Sequence, residues 1–147
     1  MLKFTKKLSS TATFATSLTL PFESRTKSRL RVTLDNGLSA GIMLPRGHIL
    51  RHGDLIATDE NYIVQIHAAA ESVSSITSDN THLLSRACYH LGNRHIPLQI
   101  EQDMIRYQHD HVLDHLMTSM GLHVTHGTEP FEPESGAYHT HAHTHSS

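Results

Sequence analysis

The spacing of apolar residues changes partway along the chain. In RLRVTLDNGLSAGIML, Leu30, Val32 and Leu34 alternate with polar residues, and Leu38, Ala40 and Ile42 resume the alternation after Asn36-Gly37. Alternation marks a half-buried strand, and Asn-Gly supplies the positive φ of a tight turn, so a β-hairpin is expected here. PRGHILRHGDL follows, with Pro45, Gly47 and Gly53 as turn residues. Two further strands are expected at Leu55–Thr58 and 62–68, separated by a polar turn at 59–61. No helical pattern is evident before residue 68, so residues 1–69 are assigned to a small all-β domain.

Beyond residue 70 the helical period takes over. Leu83, Leu84, Ala87, Cys88 and Leu91 form one stripe, with Asp79 or Asn80 available as N-cap and Gly92 as the stop. PLQIEQDMIRYQ reads as one or two strands. HDHVLDHLMTSMG reads as a second helix with Val112, Leu113, Leu116, Met117 and Met120 on its buried face and Gly121 as its end. LHVTHG alternates as a final strand. With the strand at 62–68 counted first, the order is β-α-β-β-α-β, the ferredoxin-like split βαβ arrangement. The fold class is therefore α+β, with a ferredoxin-like domain over residues 70–135. Residues 136–147, GAYHTHAHTHSS, carry no apolar period and are expected to form a flexible His-rich tail.

Composition adds one strong signal. Histidine accounts for 15 of the 147 residues, more than the 12 Lys and Arg together, although it is not among the common residues of soluble domains. A formal net charge of −2 argues against nucleic acid or an anionic membrane as partner. Arg25, Lys27, Arg29 and Arg31 would share one strand face and read as its solvated side. No apolar run is long enough to span a bilayer, and the Ser/Thr-rich N-terminus lacks the apolar segment of a secretory signal. The single cysteine, Cys88, excludes an intrachain disulfide and a Cys-cluster zinc site; it fits a reducing cytoplasm and sits on the helical stripe as a core residue.

Three groups of histidines are candidate metal ligands. In an extended tail, His139, His141, His143 and His145 project to one side and can converge on one divalent ion. Wrapping an ion costs such a segment about 1–2 kcal/mol per ordered residue, so the tail collects metal without defining one geometry. His109 and His111 flank the start of the second helix, His115 follows His111 at i+4, and Asp110 and Asp114 are available to orient the rings. In this position Asp110 equally suits a helix cap. His95 lies in the turn before Pro97, where a histidine alone says little.

GNRHIPLQI followed by RYQHDHVLDHLM resembles the UreE family of urease accessory proteins, the nickel metallochaperones. RTKSRLRVTLDNG, LPRGHILRHGDLI and PFEPESGAY with a His-rich end extend the resemblance over nearly the whole chain in the family's order. The resemblance implies a partner- or peptide-binding N-terminal β domain and a ferredoxin-like C-terminal domain that forms a homodimer, with metal able to link dimers into tetramers. It places the central metal-binding histidine on His95, whose two copies meet near the two-fold axis, and the peripheral pair on His109 and His111. The tail histidines supply further ligands. The cargo is Ni²⁺, with zinc or copper also able to bind in vitro. The partners are the urease accessory GTPase and, through it, the apo-urease complex, in the cytoplasm. Exposed all-imidazole sites release an ion more readily than a closed Cys₄ site, which suits delivery. A general Ni/Zn/Cu buffer without a dedicated recipient is the alternative. A hydrolase using Asp110, Asp114 or Glu101 would need an enclosed, rigid pocket that the sequence does not suggest.

Overall fold

The computed structural model describes residues 1–135; the His-rich tail at 136–147 lies outside the described residues. The chain divides into two compact units, Met1–Ala69 and Ala70–Ser147.

The first unit is a six-stranded sheet of order β2-β6-β5-β1-β4-β3, formed by β1 (Leu2–Lys7), β2 (Thr16–Leu20), β3 (Arg29–Thr33), β4 (Ser39–Met43), β5 (Leu55–Thr58) and β6 (Ile63–Ala68). The expected hairpin is β3–β4, antiparallel with Val32 opposite Ala40. Its turn is closed by the Gly37 N–H to the Leu34 carbonyl (2.8 Å) and the Leu34 N–H to the Leu38 carbonyl (2.8 Å). Gly37 takes φ 93° while Asn36 stays out of the left-handed region, so the glycine alone supplies the reversal. Alternation buries Phe4, Leu18, Val32, Ile42, Val64 and Ile66 on one side of the sheet.

Two features depart from expectation. A one-turn helix, α1 (Phe22–Arg25), interrupts the all-β unit. Arg25 is not on a strand face with Arg29 and Arg31: it is fully buried, and its guanidinium donates to the carbonyls of Leu20 (3.1 Å) and Leu50 (3.1 Å). A buried guanidinium must satisfy its donors, so Arg25 ties α1 to the 45–55 loop, leaving Arg29 and Arg31 as the exposed pair on β3.

The second unit runs β7 (Ala70–Thr77), α2 (Thr81–Gly92), β8 (Gln99–Ile100), β9 (Met104–Gln108), α3 (His111–Ser119) and β10 (Thr125–Pro130). Its sheet has the order β10-β7-β9-β8, antiparallel throughout. The first strand of this sheet is β7, not the strand expected at 62–68, which belongs to the first sheet as β6. The final strand starts at Thr125, later than LHVTHG suggested, because Leu122 is taken into the core ahead of it.

Asn80 caps α2 by accepting the Leu83 N–H (3.1 Å), and Asp110 caps α3 by accepting from Val112 (2.8 Å) and Leu113 (3.1 Å). Gly92 does not stop α2: it is the last helical residue, Asn93 is the C-cap, and the left-handed residue is His95 (φ 56°). Ile76, Leu84, Ala87, Leu91, Leu113 and Met117 form the centre of the core. Cys88 is half-buried at its margin, and Val112, expected inside, is 64% exposed because it points away from the sheet in the first turn of α3.

Candidate metal centre

The start of α3 is built over one row of the second sheet. The register sets His126 on β10 opposite Ser74 on β7, and Ser74 opposite Tyr107 on β9. Directly opposed residues share a face, so these three side chains line up across three strands. All three reach Asp114, one turn into α3. The Tyr107 hydroxyl donates to Asp114 Oδ1 (2.7 Å), His126 Nε2 lies 2.8 Å from Asp114 Oδ2, and Ser74 also hydrogen-bonds the carboxylate.

His109 sits at the β9–α3 junction, anchored by its backbone N–H to the Ser72 carbonyl (3.2 Å). Its Nδ1 lies 3.2 Å from Ser74 Oγ and 3.3 Å from Asp114 Oδ2. His111 opens α3, exposed, with its ring centroid 4.9 Å from that of His109. One ligand atom each from His109, His111 and Asp114 falls within 4.8 Å of the others, a spread that one metal ion can draw together.

The electrostatics favour a cation. Burial by itself raises the Asp114 carboxyl. Hydrogen bonds from Tyr107, Ser74 and His126, with the charge of His126, outweigh burial and hold it below its usual 3.8. The Tyr107 phenol is pushed upward, chiefly by burial and then by Asp114, so it remains a hydrogen-bond donor. The site lies at the positive end of the α3 macrodipole, which opposes a cation by a few tenths to about 1 kcal/mol; the Asp114 carboxylate offsets that term.

The sequence-derived candidates separate into three sets. His109 and His111 come together as a pair. Their companion is Asp114, three residues after His111, and not His115, which is exposed on α3 and outside the cluster. Asp110 is committed to the cap. His95 is exposed in the α2–β8 connection, in a left-handed conformation and with its N–H on the Gly92 carbonyl (3.0 Å). It is not part of the His109 cluster, although its neighbours Ile96 and Pro97 line a cleft of about 260 Å³ with Tyr107, His109 and Asp110. His139, His141, His143 and His145 lie outside the described residues. Sequence reading missed Tyr107, Ser74 and His126. The available signal was the parity of LHVTHG, which sets His126 in step with Leu122 and Val124.

A second imidazole pair, His52 and His67, lies in the first unit with ring centroids 5.1 Å apart. His52 Nδ1 accepts the Ala68 N–H (3.1 Å), so the lone pair it would offer a metal is engaged.

Comparison with known proteins accounts for both units. The family model for the N-terminal domain of the UreE urease accessory protein matches residues 4–69, and that for its C-terminal domain matches residues 71–147. A urease accessory protein UreE of Pseudomonas putida (strain GB-1) is 51% identical over 148 aligned residues, covering 99% of this chain and 90% of that protein. Those of Enterobacter sp. (strain 638) and Shewanella halifaxensis (strain HAW-EB4) are 51% and 50% identical, covering 98% and 94% of this chain and 95% and 80% of theirs. The chain belongs to the UreE family of urease accessory proteins.

Proposed function

We propose that this protein is a nickel metallochaperone: it binds Ni²⁺ and passes it to the urease maturation machinery, acting as an accessory protein and not as a catalyst. The observation that carries the reading is the convergence of His109, His111 and Asp114 at the edge of the second unit. Imidazole and carboxylate suit a borderline divalent ion. The exposure of His111 and the partial exposure of His109 (28%) leave water and a recipient's ligands a path to the ion. A carrier needs that access, since a closed site would retain its cargo.

Further parts of the reading rest on family membership and on sequence. His95 supplies the central site by pairing with its copy across a homodimer axis. A single histidine per chain is enough there, because two-fold symmetry doubles it. Its exposure and its place on a short connection, with a left-handed backbone that turns it out of α2, support this assignment. His139, His141, His143 and His145 add further ligands. Zinc and copper compete at the same nitrogens, copper more strongly than nickel, so supply and partner recognition choose the metal. The partner is the urease accessory GTPase, and through it apo-urease, in the cytoplasm. Among the described residues no helix is long and apolar enough to cross a membrane. The strand order β10-β7-β9-β8 with two connecting helices supports the ferredoxin-like description of residues 70–135. Residues 1–69 form the partner-binding β domain, and 136–147 the His-rich tail. Family membership does not favour a general Ni/Zn/Cu buffer.

Equilibrium dialysis with Ni²⁺, combined with pull-down by the urease accessory GTPase, tests the reading. A carrier binds nickel and the GTPase together; a protein that binds nickel but ignores the GTPase is a buffer. In parallel, His95→Ala should remove the tightest nickel step per dimer in titration calorimetry. Unchanged stoichiometry and affinity would refute the interface site.

A further inference from the structure

His126 stands out because local sequence gives it no relation to the His109–His111 pair. It lies on a different strand, brought there only by the pairing of β10 with β7. Its bland description is an exposed edge-strand residue that happens to meet a carboxylate; its side chain is 57% exposed. The geometry says more. Nε2 of His126 is 2.8 Å from Asp114 Oδ2, and Nδ1 of His109 is 3.3 Å from the same oxygen. The two rings meet edge to face with centroids 4.4 Å apart. A first-row divalent ion holds imidazole nitrogen at about 2.0–2.1 Å, which places neighbouring ligand atoms roughly 2.9–3.4 Å apart in octahedral or tetrahedral geometry. The nitrogen–oxygen separations around Asp114 Oδ2 are thus already close to those of neighbouring ligands on one ion.

We propose that His126 is a third imidazole ligand of this centre, so that a single chain offers three histidines, His109, His111 and His126, around the Asp114 carboxylate. The inference rests on the reading of His109, His111 and Asp114 as the nickel centre and extends it. The ion would sit between Oδ2 and the two ring nitrogens, each of which must present its lone pair, with any proton on those atoms moving to the far ring nitrogen or leaving to solvent. Each neutral ring then keeps its one proton on the nitrogen facing away from the ion. Asp114 Oδ1 stays on the Tyr107 hydroxyl, which holds the carboxylate plane, and Ser74 packs between the strands that carry the two rings.

The arrangement also suits an exchanging carrier. His109 enters from a half-buried junction, whereas His111 and His126 come from exposed positions on separate elements. An incoming ligand can replace an outer imidazole while the inner one and the carboxylate keep hold of the ion. His126 and His115 both lie outside the group of His109, His111 and Asp114 whose ligand atoms fall within 4.8 Å of one another, but His126 Nε2 touches the Asp114 carboxylate at 2.8 Å, and that contact is what assigns the role to His126.

Nickel titration of the full chain tests the proposal, with Ni²⁺ as the only probe and four proteins: wild type, His109→Ala, His126→Ala and His126→Gln. Glutamine retains a side-chain N–H to donate to Asp114 but is a poor nickel ligand, so it separates ligation from positioning. Wild type should show a nickel step that His109→Ala abolishes, and both His126 variants should weaken that step by roughly tenfold or more. In proton NMR of the nickel-loaded protein, paramagnetically shifted ring signals present in wild type should be missing from His126→Gln. If His109→Ala loses the step but His126→Gln titrates as wild type, the centre stands and the third ligand is refuted. If alanine weakens the step and glutamine restores it, His126 only positions Asp114, and the proposal also falls. If His109→Ala loses no step, the centre itself is wrong and its extension with it.

Discussion

Asp114→Asn removes one charge at almost constant shape from the residue on which the site converges. In the wild type its oxygens serve Tyr107 at 2.7 Å, His126 at 2.8 Å and His109 at 3.3 Å. Hydrogen bonds to a charged group contribute about 1.5–3 kcal/mol and neutral ones about 0.5–1.5 kcal/mol. Tyr107 is 1% exposed, so its hydroxyl cannot turn to water and is left with a neutral oxygen or an opposing amide. His126 is 57% exposed and resolvates readily, so its bond counts for little. The expected loss is about 1–2 kcal/mol, which lowers the urea midpoint by roughly 0.5–1 M for an m value near 2 kcal/mol/M. Nickel affinity at the step that depends on His109 should fall about 10–100-fold, as for other changes that disturb ligand orientation.

The pH dependence has a definite sign. The folded Asp114 carboxyl titrates below its usual 3.8, so its stabilisation is fully present above that value and is lost as the pH falls through the lower folded one. The difference between wild type and Asp114→Asn should therefore be largest near neutrality and vanish in strong acid. Urea unfolding followed by circular dichroism, with calorimetric nickel titration of both proteins, makes the comparison. An unchanged midpoint together with unchanged nickel affinity would refute the reasoning.

Deleting residues 139–147 should lower the number of nickel ions bound at saturation while leaving a tight step; loss of every step by the same titration would make the tail the true binder. Nickel should also dissociate on acidification, since protons compete for the imidazole lone pairs, and dialysis across a pH series measures this. Gly37→Ala should cost about 1–2 kcal/mol of stability, because φ +93° penalises any Cβ while nothing within 4 Å obstructs one; an unchanged melting temperature would contradict the turn geometry.

The legible parts of the fold were those whose local pattern and tertiary role agree. The β3–β4 hairpin, α2 with its Asn80 cap and α3 with its Asp110 cap each carry their own periodicity and punctuation. Strand β7 was illegible for a physical reason. Its core-facing position 74 is serine, not an aliphatic residue, because that side chain serves His109 and Asp114. The apolar alternation is broken where the site needs a hydroxyl, and the strand at 62–68 was counted in its stead. Arg25 misled in the opposite sense. A charged residue in a run of basic residues reads as surface, and only the carbonyls of Leu20 and Leu50 explain why it is buried.

By itself the sequence determined the family, the two-part organisation and the pair His109–His111, since all three are written in contiguous motifs. Tertiary structure alone decided which carboxylate meets that pair and which third imidazole stands beside it. Asp110 lies between the two histidines and is the nearer in sequence, but helix capping removes it, and one turn of α3 presents Asp114 to the sheet. His126 arrives through the register of three strands, and register depends on the whole buried face. A slip of one residue would turn His126 to the opposite side and dissolve the row that now faces Asp114.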